Sequence, residues 1–467
     1  MRKVESQRPH RSLWLESSLG DEPDAPPLAG RSVVDVAIVG GGFVGLWTAL
    51  RIKELEPDCC VAVLDRDICG GGASGRNGGF VLSWWPKYPS LVKAAGADEA
   101  ARLVRASEDA IEYIGSFCRQ HGIDAHFTQA GWLWTATSAA QEHSWEAVLA
   151  LSETLSPGTF VRLDPSDVAS RSGSAVHRAG VLERGAATVQ PAALVRGMRR
   201  VAIEKGIRLF EHTAVERFSR SHPLVVETAE GTIAANAIVL ATNAWAIGIP
   251  ELKRSIAVIS SDIVATAPIP TRLAEIGWTG GECIADSQMM VCYYRTSRDG
   301  RIVFGKGGWG LVYGDRIGPR FDRDRERAAL VTRDFRRCYP MLADVPITHD
   351  WCGSIDRSMD GLPVIGTLGS SDAVHFGIGW SGNGVGPSVV GGKILASRAL
   401  GRKDEWSSSG LVNRRTKAFP PEPIRYVGAH VVRQAVLAKE EAEMAGRSPS
   451  WLAVRLARLA PSGLEDK

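Results

Sequence analysis

The segment Val36-Ala-Ile-Val-Gly-Gly-Gly-Phe-Val-Gly45 constrains the fold of this chain more than any other part of it. An apolar strand runs straight into Gly40-x-Gly42-x-x-Gly45, and a stretch of helical composition, Leu46 to Leu55, follows. In that strand-turn-helix setting the glycines let bare backbone approach a pyrophosphate, and the helix N-terminus offers unpaired N–H groups and the positive end of a dipole. A glycine-rich turn is weak by itself, but three further features agree with it. Cys59 to Leu64 is the uninterrupted apolar run of a buried parallel strand, and it ends at Asp65, 25 positions after Gly40, where a carboxylate suits the ribose hydroxyls. Cys69 to Gly79 is a second glycine-rich segment and implies another close approach to a long cofactor; its polar pair Arg76 and Asn77 is expected to face that cofactor. Gly377 to Pro387 is a third, leading into a helical stretch from Ser388 to Leu400.

With 467 residues, 44% of them hydrophobic, the chain can bury two intertwined cores. The expected organisation is an N-terminal arm lying over the surface (1–30), a dinucleotide-binding domain (31–85, 185–248 and 351–400), a substrate or cap domain (86–184 and 249–350) and a helical C-terminal extension (401–467). Apolar spacing predicts helices over Asp98 to His121 and Pro191 to Lys205, and strands over Ile207 to Phe218 and Leu224 to Ala229. Gln288 to Arg295 and Arg301 to Gly305, about the Arg298-Asp-Gly300 turn, predict an antiparallel sheet roofing the cofactor. The fold class is therefore α/β: a Rossmann-like domain intertwined with an α+β domain built on an antiparallel sheet.

Charge is nearly balanced, with 55 basic and 52 acidic residues, so no nucleic-acid partner is expected. Basic residues at the N-terminus lack a following apolar region, and nowhere do 18 apolar residues run together, so the expectation is a soluble, cytoplasmic protein. The eight cysteines show no CxxC, and His212, His222 and His375 have no metal spacing, so neither a metal nor a disulfide framework is expected. No second strand-GxGxxG-helix unit follows Gly45, which leaves no separate nicotinamide domain.

Asp35 to Gly42, Ala73-Ser-Gly-Arg-Asn-Gly-Gly79, Val189-Gln-Pro191 with Leu194-Val-Arg-Gly197, Leu240-Ala-Thr-Asn-Ala-Trp245 and Asp360-Gly-Leu-Pro-Val-Ile-Gly366 together resemble the D-amino acid oxidase family of FAD-dependent oxidoreductases, most closely its gamma-glutamylputrescine oxidase-like branch. The resemblance spans roughly residues 10 to 435. It implies FAD held by Gly40, Gly42, Phe43, Val44 and Gly45; by Asp65 and Arg66; by Gly72, Ala73, Ser74, Arg76, Asn77 and Gly78; by Val215; by Thr242, Asn243 and Trp245; by Gly361; and by Gly382, Asn383, Gly384 and Val385. Some relatives attach flavin through a cysteine near the stretch that holds Cys352, but Trp351-Cys-Gly-Ser does not match the attachment motif, so non-covalent FAD is expected.

The implied activity is oxidation of a carbon–nitrogen bond in a small amine or modified amino acid. A hydride passes to flavin N5, the imine is hydrolysed to an aldehyde or keto product, and O2 takes the electrons with release of H2O2. A dehydrogenase feeding a membrane quinone or another carrier, a flavin monooxygenase, and a flavin-containing binding protein remain as alternatives. Candidate catalytic residues are Tyr294 and Arg295 at the end of a roof strand, Lys306 in the glycine-flanked bend Phe304-Gly-Lys-Gly-Gly308, and Trp380 just before Ser381-Gly382 in the third glycine-rich segment. Amino acid oxidising relatives often carry a carboxylate-clamping arginine where this chain has Ile355; Arg357, two residues on, is a shifted alternative. An amine is therefore favoured over a simple alpha-amino acid. In the tail, Ser450 to Leu459 puts Leu452, Leu456 and Leu459 on one helix face and Arg455 and Arg458 on another, the pattern of a helix docked on its own protein, on a subunit partner, or peripherally on a membrane.

Overall fold

The computed structural model describes residues 10–20, 22–369 and 372–462. Strand Gly30–Val39 is rich in β-branched residues and pairs in parallel with Gly231–Leu240 on one side and Val61–Leu64 on the other. Parallel pairing extends the sheet to Arg208–Phe210 at one edge and to Val374–Ile378 at the other, where Val364–Thr367 closes it antiparallel. Helix Phe43–Leu55 makes the crossover between the first two strands, so its N-terminus stands at the carboxyl end of the sheet. Helix Pro387–Ala399 packs against it at very close range: a Cβ on Gly392 would lie 2.6 Å from Trp47 Cβ. Helix Ala97–Gln120 joins the same core through Leu103, Val104, Ile111 and Ile114, whose spacing makes one apolar stripe.

The second sheet runs in the order Ile347–Arg357, Ala257–Thr266, Ile302–Leu311, Cys292–Thr296, Cys283–Asp286, Trp132–Ala136, Ala179–Glu183, Phe160–Leu163. Its pairs are antiparallel except Cys283–Asp286 with Trp132–Ala136, a parallel pair within the expected antiparallel roof. Ile347–Arg357 pairs with Ala257–Thr266 along its length, so residues 351–357 belong to the roof sheet and not to the first domain, as the reading of 351–400 had it. The Ala97–Gln120 helix likewise packs with the first domain's helices, although 86–184 was read as cap.

Two local expectations change, and a third is narrowed to one of its alternatives. Ile207 to Phe218 divides into Arg208–Phe210 and Val215–Phe218, because the His212 and Thr213 amides bond the Asp67 and Asp65 carbonyls and pull the chain out of line. The N-terminal segment is a wedge and not a surface arm: in helix Leu13–Ser18, Trp14 and Leu15 are buried against Ile68, Ala192, Ile263 and Trp351, across both domains. Residues 1–9 and 21 of that segment lie outside the described residues. Finally, helices Ile424–Met444 and Trp451–Ala457 dock on the protein's own roof, where Val436 and Ala457 pack on Met290. All eight cysteines are free thiols, and no helix among the described residues is long and apolar enough to cross a membrane.

Candidate active site

A cavity of about 1070 Å3 runs between the two sheets, at the upper end of the range for small-molecule sites. At one end the turn after Gly30–Val39 lines it with Gly40, Gly42, Phe43 and Val44. Gly40 has φ +112, and a Cβ there would stand 2.4 Å from Ala241 O, so only glycine brings the two strand ends this close. Gly42 caps helix Phe43–Leu55 with no side-chain hydrogen bond, and Ser74 Oγ accepts from Phe43 N at 2.9 Å. Gly45 does not line the cavity; a Cβ on it would lie 1.9 Å from Gly40 O, so it is needed for helix-to-turn packing. Asp65 accepts from Gly41 N at 2.8 Å and Asp67 N at 2.9 Å. Burial pushes its pKa up to about 6 although both amides pull it down, and each oxygen retains a lone pair for a ribose hydroxyl. Arg66 stacks over Trp245 at 4.7 Å, and Val215 begins the strand that closes this end.

The second glycine-rich segment brings Gly72, Ala73, Ser74, Arg76, Asn77 and Gly78 to the cavity. The two polar side chains also hydrogen-bond within the protein. Arg76 is buried, and its guanidinium donates to Gly71 O at 2.8 Å, His10 O at 2.6 Å and Cys352 O at 3.2 Å. Asn77 donates to Ala73 O and Ser74 O and accepts from Gly79 N at 2.8 Å. Arg76 thus ties the loop to the N-terminal segment and the roof, Asn77 ties the loop to itself, and both residues line the cavity.

On the opposite wall stand Thr242, Asn243, Gly361, Trp380, Gly382, Asn383, Gly384 and Val385, the last four at the N-terminus of helix Pro387–Ala399. Thr242 Oγ1 is buried without a hydrogen-bond partner among the described residues. Trp380 both lines the cavity and packs: a Cβ on Gly391 would lie 2.2 Å from its ring. Sequence reasoning missed Asp356, which is buried at the wall and accepts from Gly379 N at 2.6 Å, Trp380 N at 3.1 Å and Asn243 Nδ2 at 3.0 Å. Burial raises its pKa to about 7 against the pull of those amides. The available signal was an acid next to Ile355, four residues before Asp360-Gly361.

The roof corrects three of the four catalytic candidates. Tyr294 is fully buried on the far side of the sheet, stacked on Phe304 at 4.7 Å and hydrogen-bonded to His177 at 2.9 Å. Its neighbour Tyr293 lines the cavity instead, shares a 2.5 Å hydrogen bond with Ser261, and fits a slot where Cβ atoms on Gly78 and Gly305 would come within 2.9 and 2.2 Å of its ring. Arg295 donates to Val189 O at 2.6 Å and Gly79 O at 3.3 Å and does not line the cavity; burial lowers its pKa to about 10. Tyr293→Phe is expected to change KM or kcat by roughly 10-fold with stability kept, whereas Tyr294→Phe is expected to lower stability by about 1 kcal/mol with turnover kept; steady-state kinetics and denaturant unfolding of the pair check this.

Lys306 lies within strand Ile302–Leu311, not in a bend, and turns away from the cavity. It stands 3.2 Å from Gln288 Oε1, 3.3 Å from Cys292 Sγ and 3.3 Å from Asp334. Burial lowers its pKa, but Cys292, Asp334, Asp286 and Glu440 outweigh that and raise it overall. Lys306→Met is expected to leave flavin reoxidation unchanged and to destabilise only moderately, because Asp286 and Glu440 already have raised pKa values, about 7 for Glu440, and can neutralise by protonation. Stopped-flow reoxidation and denaturant unfolding test the two halves.

Cys352 does not line the cavity, and its thiol donates to Asp262 Oδ1 at 2.8 Å. The remaining walls fit a long dinucleotide cofactor: two helix N-termini, a side-chain-free cradle that a Cβ would fill, and an unpartnered hydroxyl at Thr242.

The model of the DAO family, FAD dependent oxidoreductase, matches residues 35–398. The probable oxidoreductase OrdL of Rhizobium meliloti (strain 1021) is 31% identical over 417 residues, covering 87% of this chain and 92% of its own length. The gamma-glutamylputrescine oxidoreductase of Escherichia coli (strain K12) is 27% identical over 403 residues, covering 85% and 91%. The crystal structure of glycine oxidase from Geobacillus kaustophilus aligns with a TM-score of 0.69 at 18% identity, over 83% of this chain and 100% of that one, a likeness of fold.

Proposed function

Because this chain belongs to the DAO family of FAD-dependent oxidoreductases, we propose that it oxidises a carbon–nitrogen bond of a small amine or modified amino acid to an imine, which water hydrolyses. The observation that carries this reading is the continuity of the cavity from the glycine cradle to a pocket walled by Ala285, Met289, Val291, Tyr293 and Ile355. FAD bound along the cradle supplies the two-electron acceptor, and O2 would regenerate it with release of H2O2. The chain's own part is threefold. The apolar wall disfavours an ammonium and so keeps the substrate nitrogen neutral, with its lone pair available. Tyr293 and Ser261 offer paired hydroxyls for orienting that nitrogen. The roof sheet excludes water from the reacting carbon. Relatives named for gamma-glutamylputrescine and glycine support a nitrogen-bearing substrate.

The test is anaerobic titration of the holoenzyme with polyamines, gamma-glutamyl amines, N-methyl amino acids and aminophosphonates, then NADPH. Bleaching of the flavin by an amine, reversed by air with peroxide formation, is the expected result. Bleaching by NADPH alone would establish a monooxygenase instead.

A further inference from the structure

Ala285, Met289, Val291 and Tyr293 wall the pocket, and Met289 and Val291 stand on the turn 287–291 that joins strands Cys283–Asp286 and Cys292–Thr296. Alternate backbone amides of this turn are taken up by carboxyl groups. Asp286 accepts from Gln288 N at 3.2 Å and from Cys292 N at 2.9 Å, which closes the turn at its base. At its tip Met290 N donates to Glu440 Oε1 at 3.0 Å, and the Met289 amide also favours the charged form of that carboxyl. Lys306, 3.2 Å from Gln288 Oε1, offsets the charge of Asp286 and Glu440 from behind the turn. Glu440 comes from helix Ile424–Met444, beyond the residues 35–398 that the family model matches. The Met290 side chain packs on Val436 of the same helix, and Met289 borders that apolar cluster while it lines the pocket. Met289 thus meets the substrate space on one side and the C-terminal extension on the other. Glu440 is only 4% exposed; burying a carboxyl is costly and adds nothing to apolar docking, so its placement at this turn is a specific fastening.

We propose that Glu440 is a positioning residue for the substrate pocket: by holding the Met290 amide from behind, it sets where Met289 and Val291 stand, and with them the length of aliphatic chain that the pocket accepts. The C-terminal extension is then part of what determines specificity and not only a cover for the roof. This rests on the reading of the pocket as the amine site and refines its substrate class, to an amine whose carbon chain runs along Ala285, Met289 and Val291.

The experiment follows the flavin difference spectrum of the holoenzyme on titration with butanamide and with hexanamide, which carry a neutral nitrogen and resist oxidation, so that binding beside the cofactor is read without turnover. Wild type is expected to bind hexanamide about 10-fold tighter than butanamide, because two further methylenes reach the wall. Glu440→Leu keeps a helix-forming side chain of similar bulk but offers Met290 N no acceptor; it is expected to narrow that preference to about 2-fold, with butanamide affinity and flavin content kept. Glu440→Gln retains an oxygen for Met290 N and is expected to retain the preference. Both variants leave Asp286 and Asp334 beside Lys306. Equal affinities or no spectral change in wild type, an unchanged preference or an equal weakening of both amides in Glu440→Leu, or loss of the preference in Glu440→Gln overturns the proposal. Neither amide reduces the flavin, so the two readings separate: a hexanamide preference in an enzyme that no amine reduces would leave the fastened wall standing and remove the amine-oxidase reading.

Discussion

Gly40→Ala is expected to purify nearly colourless, with FAD affinity lowered roughly 100-fold. Two costs add at this position. A backbone at φ +112 is strained for any residue with a Cβ, at about 1–3 kcal/mol. The new methyl would also sit 2.4 Å from Ala241 O, backbone that the parallel pairing of Val39 with Leu240 holds in place. Relief requires the ends of those two strands to part, and Gly42 at the N-terminus of helix Phe43–Leu55 moves with them. At about 1.4 kcal/mol per tenfold, the loss of cradle geometry reaches the stated range. Flavin content after purification and FAD titration of the apoprotein measure it; full flavin occupancy with wild-type affinity would show that the cofactor does not approach this turn.

Glu211→Ala is expected to give the largest loss of stability, about 3–5 kcal/mol. The Glu211 carboxylate is fully buried and accepts from Arg196 Nη1 at 2.9 Å, Arg199 Nη2 at 2.9 Å, Ala25 N at 2.6 Å and Cys69 N at 2.7 Å. Its removal leaves two guanidinium groups that cannot shed their charge with the half-exposed Glu22 as their remaining carboxylate, in contrast to the carboxylates around Lys306. Burial pushes the Glu211 pKa up, but the Arg199 hydrogen bond, the two amides and Arg196 outweigh it and leave it below the ordinary glutamate value of 4.5. A depressed carboxyl pKa contributes stability that is present above that ordinary value and is lost as pH falls through the folded one. Wild type should therefore weaken on acidification below about pH 4.5, and Glu211→Gln should flatten that part of the profile. Urea unfolding across pH 3.5 to 7 reads both variants; an unchanged midpoint in Glu211→Ala would mean that Glu22, which also reaches Arg199, compensates. Because Cys69 opens the second glycine-rich segment, lower flavin retention should accompany the loss.

The cofactor-facing wall was legible to the degree that its geometry is local. A turn that needs glycine, a helix beginning directly after it and an acid ending the next strand lie within a few residues of one another, so their pattern survives in the chain itself. Gly40, Asp65, Gly72 and Gly382 line the cavity where the motif spacing put them. Gly45 belongs to the same motif yet serves packing, since a glycine required by a neighbouring carbonyl and one required by a ligand look alike in sequence. Arg76 and Asn77 line the cavity, but the sequence did not show that their side chains also bond carbonyls of this loop and its neighbours, which only the fold of the loop reveals.

The roof was harder to read. Alternation along Cys292–Thr296 requires Tyr293 and Tyr294 to face opposite ways, but both faces of this sheet are covered, one by the cavity and the other by the core around Phe335 and Tyr339, so hydropathy did not say which tyrosine meets the substrate. The same ambiguity displaced Lys306. By itself the sequence determined the α/β class, the glycine cradle and the course of the main helices, because these follow from periodicity and from contacts between near neighbours. Only the tertiary structure decided which side chains border the cavity, that strand Ile347–Arg357 belongs to the roof, and that Glu440 meets the Met290 amide. Those facts depend on segments far apart in the chain, 150 positions in the case of Glu440 and Met290, and nothing in the local chain encodes a meeting at that distance.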